Sequence, residues 1–192
     1  FQDRLEKFRL LEPIPNPSKI ICLTFNYPNH AKEQNLTSTE DPVIFFKPRT
    51  ALCGTGSNII CPSFVKQLDY EIELAIIIGK TCKNVAEDKS IDCIFGYMTF
   101  NDVSARDIQM KDKQFTRGKS FDTFAPIGPW ITSKDEIPEP QNLRLTTKIN
   151  GQIRQDSSTK NMFIKIPSIV SKLSMVMTLE KGDIIATGTP EG

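Results

Sequence analysis

The chain has 192 residues, which fits one domain, and its 24 Lys and Arg nearly cancel its 23 Asp and Glu, so no basic field exists to attract nucleic acid or an anionic membrane. Hydrophobic residues make up 39% and charged residues 24%, an ordinary globular mix with enough apolar surface for a core. The longest apolar run, Leu74 to Ile78, is far below the roughly 20 residues of a bilayer span, which sets aside a membrane protein along with disorder, collagen and coiled coil.

In chain order, a charged opening is followed by Pro13, Pro15 and Pro17, which break any helix there. Residues 1–17 therefore read as a short N-terminal lead and 18–192 as one domain. Short β segments are expected at Ile20 to Phe25, Val43 to Phe46, Tyr70 to Ile78, Tyr97 to Phe100, Pro129 to Thr132 and Asp183 to Thr187. Leu143, Leu145, Thr147 and Ile149 alternate with polar residues, and Asn150-Gly151 then leads into Gln152-Ile153-Arg154. That pattern predicts a two-residue hairpin with positive φ at both turn positions. Helices are fewer. One is expected at Pro167, with Ile169, Val170, Leu173, Val176 and Met177 on one face. Another is expected over Val103 to Met110, and a short one over Pro28 to Gln34. Strands and helices do not alternate as βαβ units, so the fold class is a β-dominated α+β.

Cys22, Cys53, Cys61, Cys82 and Cys93 form an odd, widely spaced set with no Cys-x-x-Cys pair. They point to free thiols in a reducing cytoplasm. The single histidine, His30, excludes Cys/His and multi-His zinc sites. No signal or transit pattern opens the sequence, although it starts on Phe1, and further residues are expected after Gly192.

The chemistry concentrates in Asp69-Tyr70-Glu71-Ile72-Glu73-Leu74. In a strand Asp69, Glu71 and Glu73 would share one face, about 7 Å apart along it. On that segment alone a solvated edge is the better reading. The strand continues into Ala75 to Ile78, however, and buried carboxylates need a partner. Asp102, between a strand and a helix, is the best further ligand, although taken alone it reads as an N-cap. An all-oxygen set of Glu71, Glu73 and Asp102 favours Mg2+, Mn2+ or Ca2+ over zinc or copper. Rival motifs fail: Gly118-Lys119-Ser120 has Lys113 where a phosphate loop needs Gly, Gly54-Thr55-Gly56 lacks a third glycine, and no Gly-x-Ser-x-Gly elbow occurs.

Several stretches together resemble the fumarylacetoacetate hydrolase family, in its order and from about residue 20 to the end. They are Asn26-Tyr27 with His30 and Glu33, Asp69 to Leu74, Gly96-Tyr97 through Asn101 to Asp107 and Gln109, Gly118 to Asp122, Pro126 to Pro129, and Gly182 to Pro190. Thr24 departs from the pattern, standing where that family commonly has Gly two residues before the Asn. The resemblance implies mixed β-sheets rolled around a metal site, usually in a homodimer, with Glu71, Glu73 and Asp102 holding Mg2+ or Mn2+. It implies Lys119 beside the metal, His30 and Glu33 on a mobile lid that activates water or moves a proton, and Gln109 and Thr189 at the substrate. It also implies a small 2-oxo or enol acid as substrate, handled through an enolate that the metal and a cation stabilise.

The expected reaction is hydrolysis of a C–C bond in an acylpyruvate-like diketo acid. The alternative is isomerisation, tautomerisation or decarboxylation of a related 2-oxo-dicarboxylate, of the 2-hydroxyhepta-2,4-diene-1,7-dioate or oxaloacetate type. A non-catalytic binding module ranks lower, because Glu71, Glu73, Asp102, Lys119 and His30 are all present.

Overall fold

The protein was analysed as a computed structural model that describes residues 10–192; the first nine residues of the N-terminal lead lie outside them. The described strands are β1 (Ile20–Leu23), β2 (Ile44–Phe46), β3 (Leu52–Cys53), β4 (Leu68–Asp69), β5 (Ile72–Ile78), β6 (Ile94–Asn101), β7 (Ser104–Ala105), β8 (Ala125–Ser133), β9 (Arg144–Ile149), β10 (Gln152–Ser158) and β11 (Ile184–Ala186). The α-helices are α1 (Pro28–Glu33), α2 (Arg106–Asp112), α3 (Phe115–Gly118) and α4 (Ile166–Val176). Seven strands form one mixed sheet in the order β2-β1-β11-β5-β6-β8-β3, while β9 with β10 and β4 with β7 form two-stranded sheets. The β-dominated α+β class is the observed one.

Both faces of the large sheet are covered, which explains why β5 is continuously apolar from Leu74 to Ile78 rather than alternating. Leu74, Ile76 and Ile78 join Ile21, Leu23 and Ile185 in a cluster under α4, which contributes Ile166, Ile169, Val170 and Leu173. Burying each such side chain fully stabilises the fold by about 1.5–3 kcal/mol. Ala75 and Ile77 face the other way, into a cluster with Ile20, Cys22, Phe45, Met98, Phe100 and Ile127. Pro167 does sit in the first turn of α4. Val176, expected on the apolar face, is instead 72% exposed at the last residue of that helix.

The hairpin forms as its sequence predicts, with φ 51° at Asn150 and 80° at Gly151. Gln155 of β10 is buried and ties the hairpin to the large sheet. Its Oε1 accepts from Ile72 N at 3.0 Å, and its Nε2 donates to Thr189 Oγ1 at 2.9 Å. Two expectations are corrected. The strand foreseen over Tyr70 to Ile78 breaks at Tyr70 and Glu71, leaving β4 to pair with β7. The helix foreseen from Val103 starts at Arg106, because Ser104 and Ala105 are taken up by that pairing.

The β6–β8 pairing needs a residue without a side chain at Gly96. A Cβ there would stand 2.2 Å from the carbonyl oxygen of Thr132, backbone that has nowhere to go. Gly96→Ala is therefore expected to destabilise the fold by at least about 1–3 kcal/mol, read as a lowered midpoint in urea unfolding. An unchanged midpoint would refute the close approach.

Candidate metal centre

The break at Tyr70 and Glu71 is fastened by the neighbouring strand end. Asn101 Oδ1 accepts from Glu71 N at 3.0 Å, and Asp102 N donates to Glu71 O at 2.9 Å. Glu73 lies two residues along in β5, paired with Phe100. One carboxylate oxygen each from Glu71, Glu73 and Asp102 falls within a mutual 4.8 Å, and all three residues are buried. Asp102 caps no helix, since α2 begins four residues later with Ala105 at its N-cap position. Asp69 is not part of the cluster: its Oδ2 accepts from Arg106 Nε at 2.8 Å.

Three cations answer the three carboxylates. Lys119 Nζ, at the C-terminal end of α3, lies 2.6 Å from Glu71 Oε2 and 2.7 Å from Asp102 Oδ2. Lys47 Nζ lies 2.5 Å from Asp102 Oδ1 and also donates to Val103 O. The Arg106 guanidinium reaches Glu71 Oε1 at 2.5 Å. Lys119 also rests 5.1 Å over the Phe45 ring.

The charges are unevenly matched. Burial would raise the Glu71 carboxyl, but the Lys119 and Arg106 charges beside it overcome that and hold Glu71 at about 2. Glu73 goes the opposite way: burial, then Asp102 and Glu71 beside it, push it well above the ordinary carboxylate range. Its Oε2 accepts from Gly188 N at 2.8 Å, and that is not enough. Burial lowers Lys119, yet Asp102 and Glu71 more than compensate and raise it. A Glu73 carboxyl with no ion-pair partner of its own among the described residues, in a buried all-oxygen cluster, fits a hard divalent cation.

His30 in α1 is buried, with Nε2 3.9 Å from Glu71 Oε1 and Nδ1 3.2 Å from Glu33 Oε2. Gln34 Nε2 lies 2.9 Å from His30 Nε2. The root of α1 is anchored by buried Asn26. Its Oδ1 accepts from Ile164 N at 2.7 Å, and its Nδ2 donates to Thr187 O at 2.8 Å. Gln109 and Thr189 are buried beside the cluster, and Gln109 Oε1 accepts from Arg106 Nη1 at 3.1 Å. His30, Gln34, Glu71, Glu73, Gln109, Lys119 and Thr189 line an inner cavity of about 20 Å³. Its neck, formed by His30, Gln34, Gln109 and Phe115, opens on an outer cleft of about 600 Å³. Glu33 lines only the outer cleft.

Of the eight site residues expected from the sequence, seven line the inner cavity or its mouth, and Asp102 lies behind it against Glu71, Glu73 and Lys119. Arg106, Lys47 and Gln34 escape the sequence reading. Arg106 carried a signal, since it lies inside the quoted Asn101 to Asp107 stretch. Lys47 and Gln34 carry none that composition or spacing exposes.

A family model described as Fumarylacetoacetate (FAA) hydrolase C-terminal matches residues 19–192. The oxaloacetate tautomerase YisK of Bacillus subtilis is 44% identical over 196 residues, spanning 100% of this chain and 65% of its own length. A crystal structure of 5-carboxymethyl-2-hydroxymuconate delta-isomerase from Mycobacterium smegmatis superposes with a TM-score of 0.87 at 47% identity, over 96% of this chain and 72% of that one. A fumarylacetoacetate hydrolase from the psychrophile Exiguobacterium antarcticum gives 0.88 at 42%, over 96% and 66%.

Cation binding must displace any proton held by Glu73. In the metal-free protein its raised value stabilises the fold at low pH, and that contribution is lost as pH rises from the ordinary carboxylate value towards the raised one. Glu71 acts oppositely, since its contribution is present above the ordinary range and is lost as pH falls towards about 2. Calorimetric titration with Mn2+ in buffers of different ionisation enthalpy should therefore show proton release and tighter binding at higher pH. Glu73→Gln should abolish the release and weaken binding. Heats independent of the buffer would refute this charge distribution.

Proposed function

The chain belongs to the fumarylacetoacetate hydrolase family, and from that premise we propose that it is a divalent-metal-dependent tautomerase or isomerase of a small 2-oxo dicarboxylate of the oxaloacetate type. The observation that carries the reading is the buried Glu71–Glu73–Asp102 cluster with Lys119 against it and His30 at its mouth. A non-catalytic module has no use for such a costly burial of charge. The family resemblance read from the sequence puts hydrolytic C–C cleavage first and isomerisation second. The named relatives reverse that order, since a tautomerase and an isomerase stand among them.

Glu71, Glu73 and Asp102 would hold the cation, Mg2+ by preference or Mn2+, with Ca2+ compatible with the same oxygen donors. When bound, it supplies Lewis acidity towards the oxygens of a 2-oxo carboxylate and its enolate. The chain's own groups supply the remainder. The Lys119 ammonium, fixed by two carboxylates, presents positive charge to the enolate oxygen as negative charge develops there. Gln109 accepts from Arg106 through its oxygen, which leaves its NH2 group to donate to a substrate carboxylate. Thr189 adds a hydroxyl whose oxygen already accepts from Gln155.

His30 moves the proton. In the enol-to-keto direction the enol O–H gives up its proton, the C2–O bond becomes a carbonyl, and the C2–C3 π electrons take a proton at C3. Atoms and electrons balance with no water and no co-reactant. Glu33, accepting from Nδ1, orients the ring and stabilises its protonated form.

A second reading, cleavage of an acylpyruvate by water activated at His30, rests on the similarity to the Exiguobacterium hydrolase. One comparison separates the two. The wild type with Mg2+ is expected to speed decay of the oxaloacetate enol, followed by ultraviolet absorbance, without cleaving acylpyruvates. His30→Ala should lose on the order of 10²–10⁴ in that rate while still binding metal, and Glu33→Gln should lose less. Acylpyruvate cleavage without enol turnover would establish the second reading. Full tautomerase activity in His30→Ala would remove the histidine from the mechanism.

A further inference from the structure

Gln34 lies four residues after His30 and so on the same side of the α1 turn. Its Nε2 is 2.9 Å from His30 Nε2, and it lines both the inner cavity and the outer cleft. Glu33 meets the other ring nitrogen, with Oε2 3.2 Å from Nδ1. A carboxylate only accepts, so Nδ1 must carry the hydrogen. In a neutral ring Nε2 is then a bare acceptor, and of the Gln34 amide only the NH2 end can bond to it. The two side chains therefore ask for the same tautomer from opposite sides. It is the less common one, because free imidazole side chains in water favour the hydrogen on Nε2. Glu33 is about half exposed, at 48% for its side chain, and its contact is long. It is a weak device for imposing the tautomer alone.

We propose that Gln34 is a positioning residue that holds His30 in the Nδ1–H tautomer, with Nε2 aimed at the inner cavity, and that closes the neck between cavity and cleft until substrate takes its place. This rests on the proton-transfer role given to His30 above and adds the group that readies it. The lone pair that must accept the substrate's proton is the one the Gln34 amide occupies, at the nitrogen 3.9 Å from Glu71 Oε1. Substrate entry exchanges one hydrogen bond for another, so the ring is never left free to turn. Asn35, in the left-handed region at φ 57°, ends the turn just after Gln34, and Gln34 N donates to Ala31 O at 3.1 Å. The amide is thereby tied to the same short turn as the ring it holds.

His30 is the only histidine, so a protein labelled with 15N-histidine shows a single imidazole. In mildly alkaline buffer, without substrate, the two ring nitrogen shifts report its tautomer directly. The wild type is expected to show Nδ1–H, and Gln34→Leu, of similar length but without a donor, a mixture with Nε2–H. Gln34→Lys restores a donor and should restore Nδ1–H. In enol turnover Gln34→Leu should lower kcat roughly tenfold, the worth of one neutral hydrogen bond, without raising KM. An unchanged tautomer in Gln34→Leu overturns the proposal, because Glu33 then suffices. A raised KM with unchanged kcat also overturns it, since Gln34 would then be a substrate contact. If the tautomer shifts as expected but the wild type turns over no oxo acid, the positioning role stands and the proposed function fails.

Discussion

Three carboxylates packed within 4.8 Å of one another in a buried place are the constraint that the neighbouring structure answers. Like charges at that range repel strongly where water cannot screen them. Lys119, Lys47 and Arg106 each bring a positive group into direct contact with Glu71 or Asp102. None reaches Glu73 by an ion pair, and Glu73 is the member pushed towards its neutral form. The metal-free site is thus balanced at two corners and short of positive charge at the third. Removing one partner of such a buried pair typically costs about 3–5 kcal/mol, so these cations serve the fold as well as any reaction.

The backbone delivers these groups from separate stretches of chain, and each delivery depends on a local irregularity. A continuous strand from Leu68 to Ile78 would keep Glu71 in the ladder. The break frees Glu71, while Asn101 and Asp102 satisfy its N–H and C=O and carry the third carboxylate to it by the same bonds. On the far side, Gly188 at φ 91° turns the chain after β11 so that its N–H meets Glu73. A Cβ there would sit 2.9 Å from Asn26 Cβ, the residue that anchors the root of α1. β5, α1 and the β11 exit are thereby joined, through Gly188 N on Glu73 and Asn26 on Thr187 O.

Much of this is legible in the sequence because it is local. The hairpin follows from Asn150-Gly151, and α4 from Pro167 and its apolar spacing. Glu71 and Glu73 stand out because carboxylates in an otherwise apolar strand are costly without a partner. What escapes is non-local. The pairing of β4 with β7 joins Leu68 to Ala105 and Asp69 to Ser104 across the whole of β5 and β6, and neither piece has a strand pattern of its own. Lys47 looks like any surface lysine until Asp102, 55 residues away, is found 2.5 Å from it. Gln34 is equally mute, because its meaning depends on which ring nitrogen faces the cavity.

The shape of the site bears on which reaction it suits. Cleavage needs room for a water beside the substrate carbonyl and a path out for two products. Tautomerisation needs only a base that gives and takes one proton over a planar acid. An inner cavity of about 20 Å³ is close to the room one water takes. His30, Gln34, Gln109 and Phe115 narrow its mouth before the 600 Å³ cleft begins. With a small oxo acid's reacting end inside, its distal carboxylate would meet the neck, where Arg106 and Lys113 line the outer side. Glu33 and Asp69 line that side as well, and Arg106 is already shared between Asp69 and Glu71, so the charges at the mouth offset one another; the tightness within suits a proton shift better than attack by water. The same carboxylates, lysine and histidine would serve either reaction, so the space around His30 Nε2 decides between them.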